Sequence, residues 1–382
     1  MRIGILTFHR SINYGAFMQC YALSHELMSR YPEHQVEVID FEYLRKHNMY
    51  KAPMKNIPFG LEYYFKYQRF QSDLKRLPLS SKTFITENTE DLCDFISKNY
   101  DIVIVGSDAV WAYQGKMPID NPYWLFGDKL KNVIKMSFAA SAFSTRFDAI
   151  PKEERDLIKN HLSSFYYIGV RDGATKSFVE SLDLGKTVNL NHDPTIFLNP
   201  ATDMRLAKST LRKNFVLSNK KSISFMTRVL PEIDKLRKDL SGTYDLLHFY
   251  TRDNPRHDLI DSRCRFMNNV SPYEWYNLYG QMSLNITHFF HGACLGIINH
   301  VPTLVVDDFE QEYMSKYAQL MTNLGLTDRL FYQKNFDYQK FMDTVHYCLT
   351  HKEEESKRIE EAIQIERKKS ETFFITLDKV LK

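Results

Sequence analysis

The sequence has few cysteines and no apolar run long enough to cross a membrane. Its five cysteines are scattered and form no CxxC pair, which fits a reducing compartment and gives no zinc site. A membrane-spanning helix needs about 18 consecutive apolar residues. The N-terminal apolar run from Ile3 to Phe8 is also too short for the core of a signal peptide. We therefore expect a cytoplasmic protein.

The sequence also lacks a large surplus of positive charge and the common phosphate-binding motifs. Lys and Arg number 50 against 47 Asp and Glu, a net charge of +3, which argues against a nucleic-acid partner. The turn after the first apolar run contains only Gly15, so the GxGxxG motif that binds a pyrophosphate is absent. Gly185-Lys186-Thr187 resembles the end of a P-loop, but Glu180 stands where the first glycine of that motif must be.

The chain is long, and it has an ordinary apolar content and many aromatic residues. Its 382 residues exceed the ~100–200 that are typical of one domain, so two domains are expected. Apolar residues make up 43% and charged residues 25%, which is typical of soluble folded domains. Aromatic residues make up 14%. They suit sugar faces and interfaces, although packing in the core is the simpler explanation.

Short apolar runs alternate with helical patterns along the chain. The runs lie at residues 3–8, 36–41, 101–106, 133–140, 166–170, 222–226, 244–249, 284–287 and 303–306. This alternation predicts parallel strands that are buried on both faces. We predict an α/β fold with two doubly wound domains, residues 1–200 and 201–350, divided near Pro200 where turn-forming residues interrupt the pattern. A charged helical tail follows at residues 351–382.

One segment, residues 45–76, departs from this alternation because it mixes basic and aromatic residues. It contains eight Lys or Arg against two acidic residues, and seven Tyr or Phe. Such a mixture suits a surface that meets anionic lipid headgroups or a phosphate-bearing substrate. A solvated helix with a buried aromatic side explains it equally well. We refer to it as the basic-aromatic segment.

Polar residues follow several of the predicted strands. In a doubly wound sheet, ligands bind beyond the carboxyl ends of the strands, so these positions are candidates for a site. A helix that begins near His291 would also offer backbone N–H groups to a phosphate or a carboxylate. Each residue taken singly could be a helix cap or a turn residue, but together they favour a cleft between the domains. They are His9, Asn13, Tyr14, Ser107, Asp108, Trp111, Ser141, Ser144, Arg171, Asp172, His288 and His291.

Six blocks of sequence carry a resemblance to a known family. They are, in order, Asn13-Tyr14-Gly15-Ala16, Asp101 to Asp108 with Trp111, Ala139-Ala140-Ser141, Val170-Arg171-Asp172, His192-Asp193-Pro194-Thr195, and Ser271-Pro272 through His288-Phe289-Phe290-His291-Gly292 to Val301-Pro302. In order and spacing these blocks resemble the polysaccharide pyruvyl transferase family. Many members of that family carry an arginine two residues before the signature histidine, where this chain has Phe289. The group that balances the phosphate charge therefore stays open.

The resemblance implies two facing Rossmann-like domains, as in B-type glycosyltransferases, and transfer of pyruvate from phosphoenolpyruvate to a sugar as a ketal. Phosphoenolpyruvate would be the donor substrate, and neither a metal nor another cofactor is expected. The acceptor would be a glycan of a surface or capsular polysaccharide, carried by a lipid or a nucleotide at the cytoplasmic side of the membrane. Peripheral membrane contact is part of this expectation.

The chemistry needs a proton donor, a cationic clamp, and a base or acceptor for the sugar hydroxyls. His291 is the candidate acid, because imidazole titrates close to neutral pH, and Arg171 is the candidate clamp, because guanidinium grips a carboxylate with two hydrogen bonds. Asp108 is the candidate base or hydroxyl acceptor. The expected substrate-binding residues are Asn13, Tyr14, Gly15, Ser107, Trp111, Ser141, His288 and Gly292.

Two alternatives keep the fold and change the function. One is a B-type glycosyltransferase that uses a nucleotide sugar, although the sequence supplies no strong site for a nucleotide diphosphate. The other is a catalytically silent relative that binds glycans, which the departure at Phe289 permits.

Overall fold

The computed structural model describes residues 1–52, 59–113, 121–142, 145–227, 229–249, 262–308 and 315–382, with the backbone alone at 59–62. Two residues of the sequence predictions, Lys55 in the basic-aromatic segment and Ser144, lie outside the described residues. The strands are β1 (Arg2–Leu6), β2 (Gln35–Val38), β3 (Phe41–Glu42), β4 (Phe84–Ile85), β5 (Ile102–Val105), β6 (Ile134–Ser137), β7 (Phe165–Val170), β8 (Val188–Leu190), β9 (Lys221–Met226), β10 (Tyr244–Phe249), β11 (Cys264–Met267), β12 (Met282–Thr287), β13 (Thr303–Asp307) and β14 (Leu330–Tyr332).

Helices alternate with these strands. They are α1 (Tyr14–Arg30), α2 (Leu44–Lys51), α3 (Phe59–Asp73), α4 (Glu90–Asn99), α5 (Lys152–Ser163), α6 (Gly173–Ser181), α7 (Met204–Lys213), α8 (Ile233–Ser241), α9 (Pro272–Tyr279), α10 (Phe290–Ile298), α11 (Lys316–Asn323), α12 (Tyr338–Thr350), α13 (Lys352–Arg367) and α14 (Glu371–Leu381).

The strands form two parallel six-stranded sheets and one small parallel pair. The first sheet has the order β2-β1-β5-β6-β7-β8 and the second has the order β11-β10-β9-β12-β13-β14, while β3 pairs with β4. Each half of the chain therefore builds its own doubly wound sheet, which confirms the predicted fold class. The chain passes from the first sheet to the second between Leu190 and Lys221, a stretch that includes the boundary predicted near Pro200.

The predicted C-terminal tail forms α13 and α14, and these helices return to the first sheet. Phe373 of α14 packs edge-to-face on Phe138, with ring centroids 4.7 Å apart, and on Tyr167 of β7 at 5.3 Å. The Arg367 guanidinium donates hydrogen bonds of 2.8 and 2.7 Å to the carbonyls of Ile196 and Leu198. The tail thus connects the two halves of the molecule rather than covering the second one alone.

Candidate active site

The candidate site is a cleft between the carboxyl ends of the two sheets. The strand order reverses direction between β1 and β5 in the first sheet and between β9 and β12 in the second. Ligands of open α/β sheets bind at such switch points. A cavity of about 360 Å³ is lined by residues at or beyond the ends of all four strands, among them Asn13, Asp108, Met226 and His291. Both switch points therefore contribute to one cleft.

The N-termini of α1 and α10 both lie at this cleft. The Asn13 side chain caps α1 and accepts hydrogen bonds from the backbone N–H groups of Gly15 and Ala16, at 2.9 and 3.2 Å. Within the described residues, no side chain caps α10, whose first turn contains His291 and Gly292. Because the positive end of each helix dipole points towards the cleft, the cleft favours an anionic ligand.

Gly15 and His291 are in direct contact across the cleft. A Cβ atom built on Gly15 would lie only 2.0 Å from Nδ1 and 2.5 Å from Cβ of His291. Any larger residue at position 15 would have to displace the imidazole or the start of α1. The glycine of the first sequence block is therefore explained by the close approach of a histidine from the second half of the chain.

Asp193 lies beside the other side of the His291 ring. Its Oδ2 atom is 3.3 Å from His291 Nε2, an ion-pair distance without hydrogen-bond geometry, and it accepts a hydrogen bond from Arg171 Nη1 at 2.9 Å. Its Oδ1 atom accepts from the backbone N–H and the hydroxyl of Thr195, at 3.1 and 2.8 Å. Burial alone would raise the pKa of the Asp193 carboxyl, but His291, Arg171 and Thr195 outweigh it and hold that pKa well below its usual range. Asp193 is thus a buried anion that joins the candidate clamp to the candidate acid.

Arg171 lies one layer behind the cleft. It is buried, and its guanidinium carbon sits 4.9 Å from the centroid of the Phe290 ring. Burial favours the neutral form of Arg171, but Asp193, Asp108 and Asp172 outweigh this effect and raise its pKa. Arg171 therefore forms a buried salt bridge, and its partner is Asp193. The clamp role of Arg171 stays a prediction.

Asp108 lines the cleft opposite His291 and has an unusual backbone. Its φ angle is 80°, and its carboxylate accepts a hydrogen bond of 2.7 Å from the N–H of Ala109. A non-glycine residue in such a conformation costs on the order of 1–3 kcal/mol, and residues of this kind concentrate at functional sites. The geometry places this carboxylate where it can meet a ligand.

A family model described as polysaccharide pyruvyl transferase matches residues 13–308, more than three quarters of the chain. The chain belongs to the polysaccharide pyruvyl transferase family. A comparison with curated protein sequences gave no match. The blocks that carry the resemblance include Asn13 to Gly15, Asp108, Arg171, Asp193 and His291, which surround the cleft or stand directly behind it.

Solved structures with the same fold align with nearly the whole length of this family member. A glycosyltransferase from Rickettsia africae is 13% identical, with a TM-score of 0.56 over 100% of this chain and 98% of that one. A UDP-GlcNAc 2-epimerase from Neisseria meningitidis is 12% identical, with a TM-score of 0.55 over 99% of this chain and 100% of that one. At these identities the similarity establishes the fold alone, and that fold is the one expected from the sequence.

Two predicted substrate-binding residues of this pyruvyl transferase family member lie in the interior. Trp111 stacks on Trp124, with ring centroids 5.1 Å apart, and donates its indole N–H to the Tyr123 carbonyl at 3.0 Å. Ser107 is fully buried, and its carbonyl accepts a hydrogen bond from Thr7. Both placements favour a role in packing β5 and its loop. Their substrate-binding roles stay predictions that this placement does not support.

Ser141 and His288 also make contacts within the protein. The Ser141 hydroxyl donates to Asp172 Oδ2 at 2.6 Å, and Asp172 in turn caps α6. His288 places Nδ1 3.0 Å from the Met226 carbonyl, at the end of β9. His9 is buried beside Asp40, with 2.8 Å between Nε2 and Oδ1. These three side chains stabilise the loops that carry the site.

Asp193 and Lys316 are site residues that the sequence predictions missed. Asp193 stands in the quoted block His192 to Thr195, so a signal was present, but its contact with His291 depends on the tertiary fold. Lys316 is the first residue of α11 and lines the cleft. The sequence around Lys316 contains no motif that distinguishes it from other lysines.

Among the described residues, seven aromatic side chains line the cleft of this family member. They come from both halves of the chain and include Phe289, two residues before His291. Aromatic faces are suited to packing on the apolar faces of sugars. These seven residues are Phe8, Tyr14, Tyr50, Trp275, Phe289, Phe290 and Tyr317.

The basic-aromatic segment reaches this cleft. Tyr50 of α2 and the buried Lys66 of α3 line its wall. Arg69 donates a 2.8 Å hydrogen bond to Asn269, a residue beside the second sheet. Lys66 and Arg69 therefore contact protein rather than a membrane surface. In the described part of the segment, Tyr64 and Phe65 point outwards, and they are 44% and 57% exposed.

The described residues include neither a metal-binding cluster nor a membrane-spanning helix. These residues contain no group of three or more His, Cys, Asp or Glu side chains that could hold a metal ion. Nor does any helix among them combine the length and the apolar character that a membrane span requires. Contact with a membrane surface stays a prediction.

Proposed function

We propose that this chain transfers pyruvate from phosphoenolpyruvate to two hydroxyls of a sugar, forming a ketal and releasing inorganic phosphate. Membership of the polysaccharide pyruvyl transferase family supports the reaction class. The observation that carries the proposal is the position of His291, beside Asp193 at the N-terminus of α10 and facing a cleft that both sheets form. This arrangement offers a proton donor next to an anion-binding surface.

The proposed reaction balances without a metal or a redox partner. A proton adds to C3 of phosphoenolpyruvate while the first sugar hydroxyl, losing its proton, forms a bond to C2. The bond between C2 and the phosphate oxygen then breaks, and phosphate leaves. The second hydroxyl adds to C2 and loses its proton. Of the two hydroxyl protons, one replaces the proton used at C3 and the other leaves with hydrogen phosphate.

His291 is proposed as the acid that protonates C3. Its Nε2 atom faces Asp193, which leaves Nδ1, on the side of Gly15, as the ring nitrogen that exchanges a proton with the cleft. Asp193 is proposed as a positioning residue, because its carboxylate attracts the protonated ring from the Nε2 side and does not face the donor itself. General acid catalysis of this kind contributes about 10²–10⁴-fold to a rate.

The remaining groups bind charge and orient the acceptor. The helix dipoles of α1 and α10 favour the phosphate and carboxylate of the donor. The Asp108 carboxylate is the proposed acceptor of a sugar hydroxyl proton or hydrogen bond. The aromatic wall, with Trp275 and Tyr50 among its members, is the proposed contact for the sugar ring. We propose a carrier-bound glycan of a surface polysaccharide as the acceptor, modified at the cytoplasmic side of the membrane.

The experiment is incubation with phosphoenolpyruvate and candidate acceptor glycans, with phosphate release and the mass of the product as readouts. His291→Ala is expected to lower turnover by about 10²–10⁴-fold while the protein still folds. Near-normal turnover by a folded His291→Ala protein would move the acid role to Asp108.

A nucleotide-sugar glycosyltransferase is the alternative, and it is supported by a fold neighbour, the Neisseria meningitidis epimerase, whose structure holds UDP-GlcNAc. Replacing phosphoenolpyruvate with UDP-sugars in the same assay tests it. Release of UDP without any use of phosphoenolpyruvate would favour the glycosyltransferase. Glycan binding without turnover of either donor would favour the silent relative.

A further inference from the structure

Lys316 carries an ammonium group into the cleft from the second half of the chain. It lines the main cleft together with His291 and Gly292, and it also lines a small cavity behind, together with Arg171 and Asp193. It therefore stands at the junction between the cleft and the buried charged groups.

The backbone that carries Lys316 is fixed to the ends of two central strands. Ser315 caps α11 by accepting hydrogen bonds from the N–H groups of Tyr317 and Ala318, and its hydroxyl also bonds the carboxylate of Asp307 at the end of β13. The Tyr317 hydroxyl bonds the carbonyl of His288, just beyond the end of β12. These bonds place Lys316 on a rigid support, so little ordering is needed when a ligand binds.

The electrostatic surroundings of Lys316 favour an anionic ligand. Its Nζ atom lies 5.5 Å from the centroid of the Phe290 ring, the same ring that Arg171 contacts at 4.9 Å. Burial and, next, the charge of Arg171 lower the pKa of Lys316 to about 8, against the attraction of Asp108, Cys294 and Asp172. A bound phosphate would favour the charged form of this buried ammonium group and so compensate its loss of hydration.

A phosphoenolpyruvate donor carries a phosphate and a carboxylate, and Arg171 is already paired with the Asp193 carboxylate. A second cation at the cleft would balance the charge of the donor. Lys66 and Lys316 both line the cleft, and Lys316 is the one that also borders Arg171 and Asp193. We propose that Lys316 is this cation and binds the phosphate group of phosphoenolpyruvate beside His291. The inference rests on the proposed function and assigns a donor-binding residue to it.

The test compares Lys316→Met and Lys316→Arg with Lys152→Met as a matched control. Lys152 is also the first residue of a helix, α5, but it is exposed and remote from the cleft. Each protein is titrated with phosphoenolpyruvate by calorimetry, and initial rates are measured while donor and acceptor are varied separately. Melting temperatures establish that each variant is folded.

Lys316→Met is expected to raise both the dissociation constant and the KM for phosphoenolpyruvate by about 10- to 100-fold, the range that a charge-assisted hydrogen bond supplies. The KM for the acceptor should stay within about twofold, since a donor contact affects one substrate selectively. Lys316→Arg should retain most of the donor affinity. In the wild type, donor affinity should weaken above about pH 8, where Lys316 loses its proton, and this decline should be absent in Lys316→Arg.

Each outcome supports or overturns the inference. If the wild type turns over phosphoenolpyruvate, and a folded Lys316→Met protein binds it as tightly as Lys152→Met does, the inference is wrong and the proposed function stands. If the wild type neither binds nor uses phosphoenolpyruvate, the proposed function fails and the inference fails with it. Should Lys316→Met not fold, the pH dependence of the wild type against Lys316→Arg decides the question.

Discussion

Replacing Gly15 with alanine is the sharpest test of the contact between the two halves of the site. The added methyl carbon would lie 2.0 Å from Nδ1 of His291, whereas carbon and its neighbours pack at about 3.5–4.0 Å. The imidazole ring or the start of α1 must therefore move by roughly 1.5–2 Å to restore an ordinary contact. We expect this shift to move His291 away from the position in which it would protonate the donor.

The expected loss of activity is larger than the expected loss of stability. Overpacking of this kind costs about 1–3 kcal/mol, and the gain from replacing glycine by alanine within a helix offsets up to about 1 kcal/mol. A misplacement of about 1 Å at a reacting group can cost about 10²-fold in rate. Gly15→Ala should therefore lower turnover by about 10²-fold or more while the protein still folds.

The assay combines turnover with a double-mutant cycle on unfolding. His291→Gly removes both the ring and the Cβ atom that the added methyl group would meet, so the penalty of Gly15→Ala should disappear in that background. The coupling energy should fall in the range of about 1–3 kcal/mol. Gly242→Ala is the control, because a Cβ atom there meets no described atom within 4 Å and the φ angle is −61°.

Normal turnover by Gly15→Ala, with a melting temperature equal to that of Gly242→Ala, would refute this reasoning. It would mean that the two halves do not approach in solution as they do in the cleft described above. Independent effects of Gly15→Ala and His291→Gly on unfolding would lead to the same conclusion.

Three further predictions concern the charged groups and the exposed aromatic residues. Arg171→Lys should raise the KM for phosphoenolpyruvate more than that for the acceptor, because lysine keeps the charge but loses the two-pronged guanidinium. Asp193→Asn should lower the stability by about 3–5 kcal/mol, since it leaves Arg171 buried without its partner. The ionised Asp193 carboxyl stabilises the fold above about pH 4, and this contribution is lost at lower pH, so the melting temperature of Asp193→Asn should fall less between neutral and acidic pH. Tyr64→Ser combined with Phe65→Ser should reduce sedimentation with anionic vesicles.

Each of these predictions has an outcome that would contradict it. Unchanged donor affinity in Arg171→Lys would assign Arg171 to the ion pair with Asp193 alone. Equal acid sensitivity of the wild type and Asp193→Asn would contradict the lowered pKa of that carboxyl. Phe215→Ser, which removes an aromatic side chain that is 84% exposed on the other half of the chain, is the control for the vesicles. Equal binding by the control and the double variant would exclude Tyr64 and Phe65 as a membrane contact, and binding that does not depend on lipid charge would exclude a preference for anionic lipid.

The central strands of both sheets could be predicted from the sequence because burial on two faces requires continuous apolar runs. β5, with the sequence IVIV, is fully buried and follows this rule. The strands of the two large sheets that the sequence analysis missed, β8, β11 and β14, lie at the edges, where one side has no neighbouring strand in the described sheets. Their sequences, VNL, CRFM and LFY, are short and mixed in polarity. Pairing with a formed sheet, rather than local pattern, determines these strands.

The sequence could predict only those residues of the candidate site that follow directly after a central strand. Asn13, Asp108 and His291 follow central strands, and the structure brings all three to one cleft. Trp111 follows the same rule but lies in the core, because its loop turns back over the first sheet and stacks it on Trp124. Lys316 depends on how α11 is fixed to β12 and β13, which no local pattern encodes.

His291 belongs to the second half of the chain, but residues of the first half determine its position. The residue begins α10 beside the second sheet, yet Asp193, which follows β8 of the first sheet, contacts Nε2, and Gly15 of α1 packs against Nδ1. Arg171 fixes Asp193 from the end of β7. A change in the approach of the two halves must therefore move the imidazole relative to the cleft. Substitutions at this junction should lower kcat even where they touch neither substrate, because they alter the geometry of proton transfer.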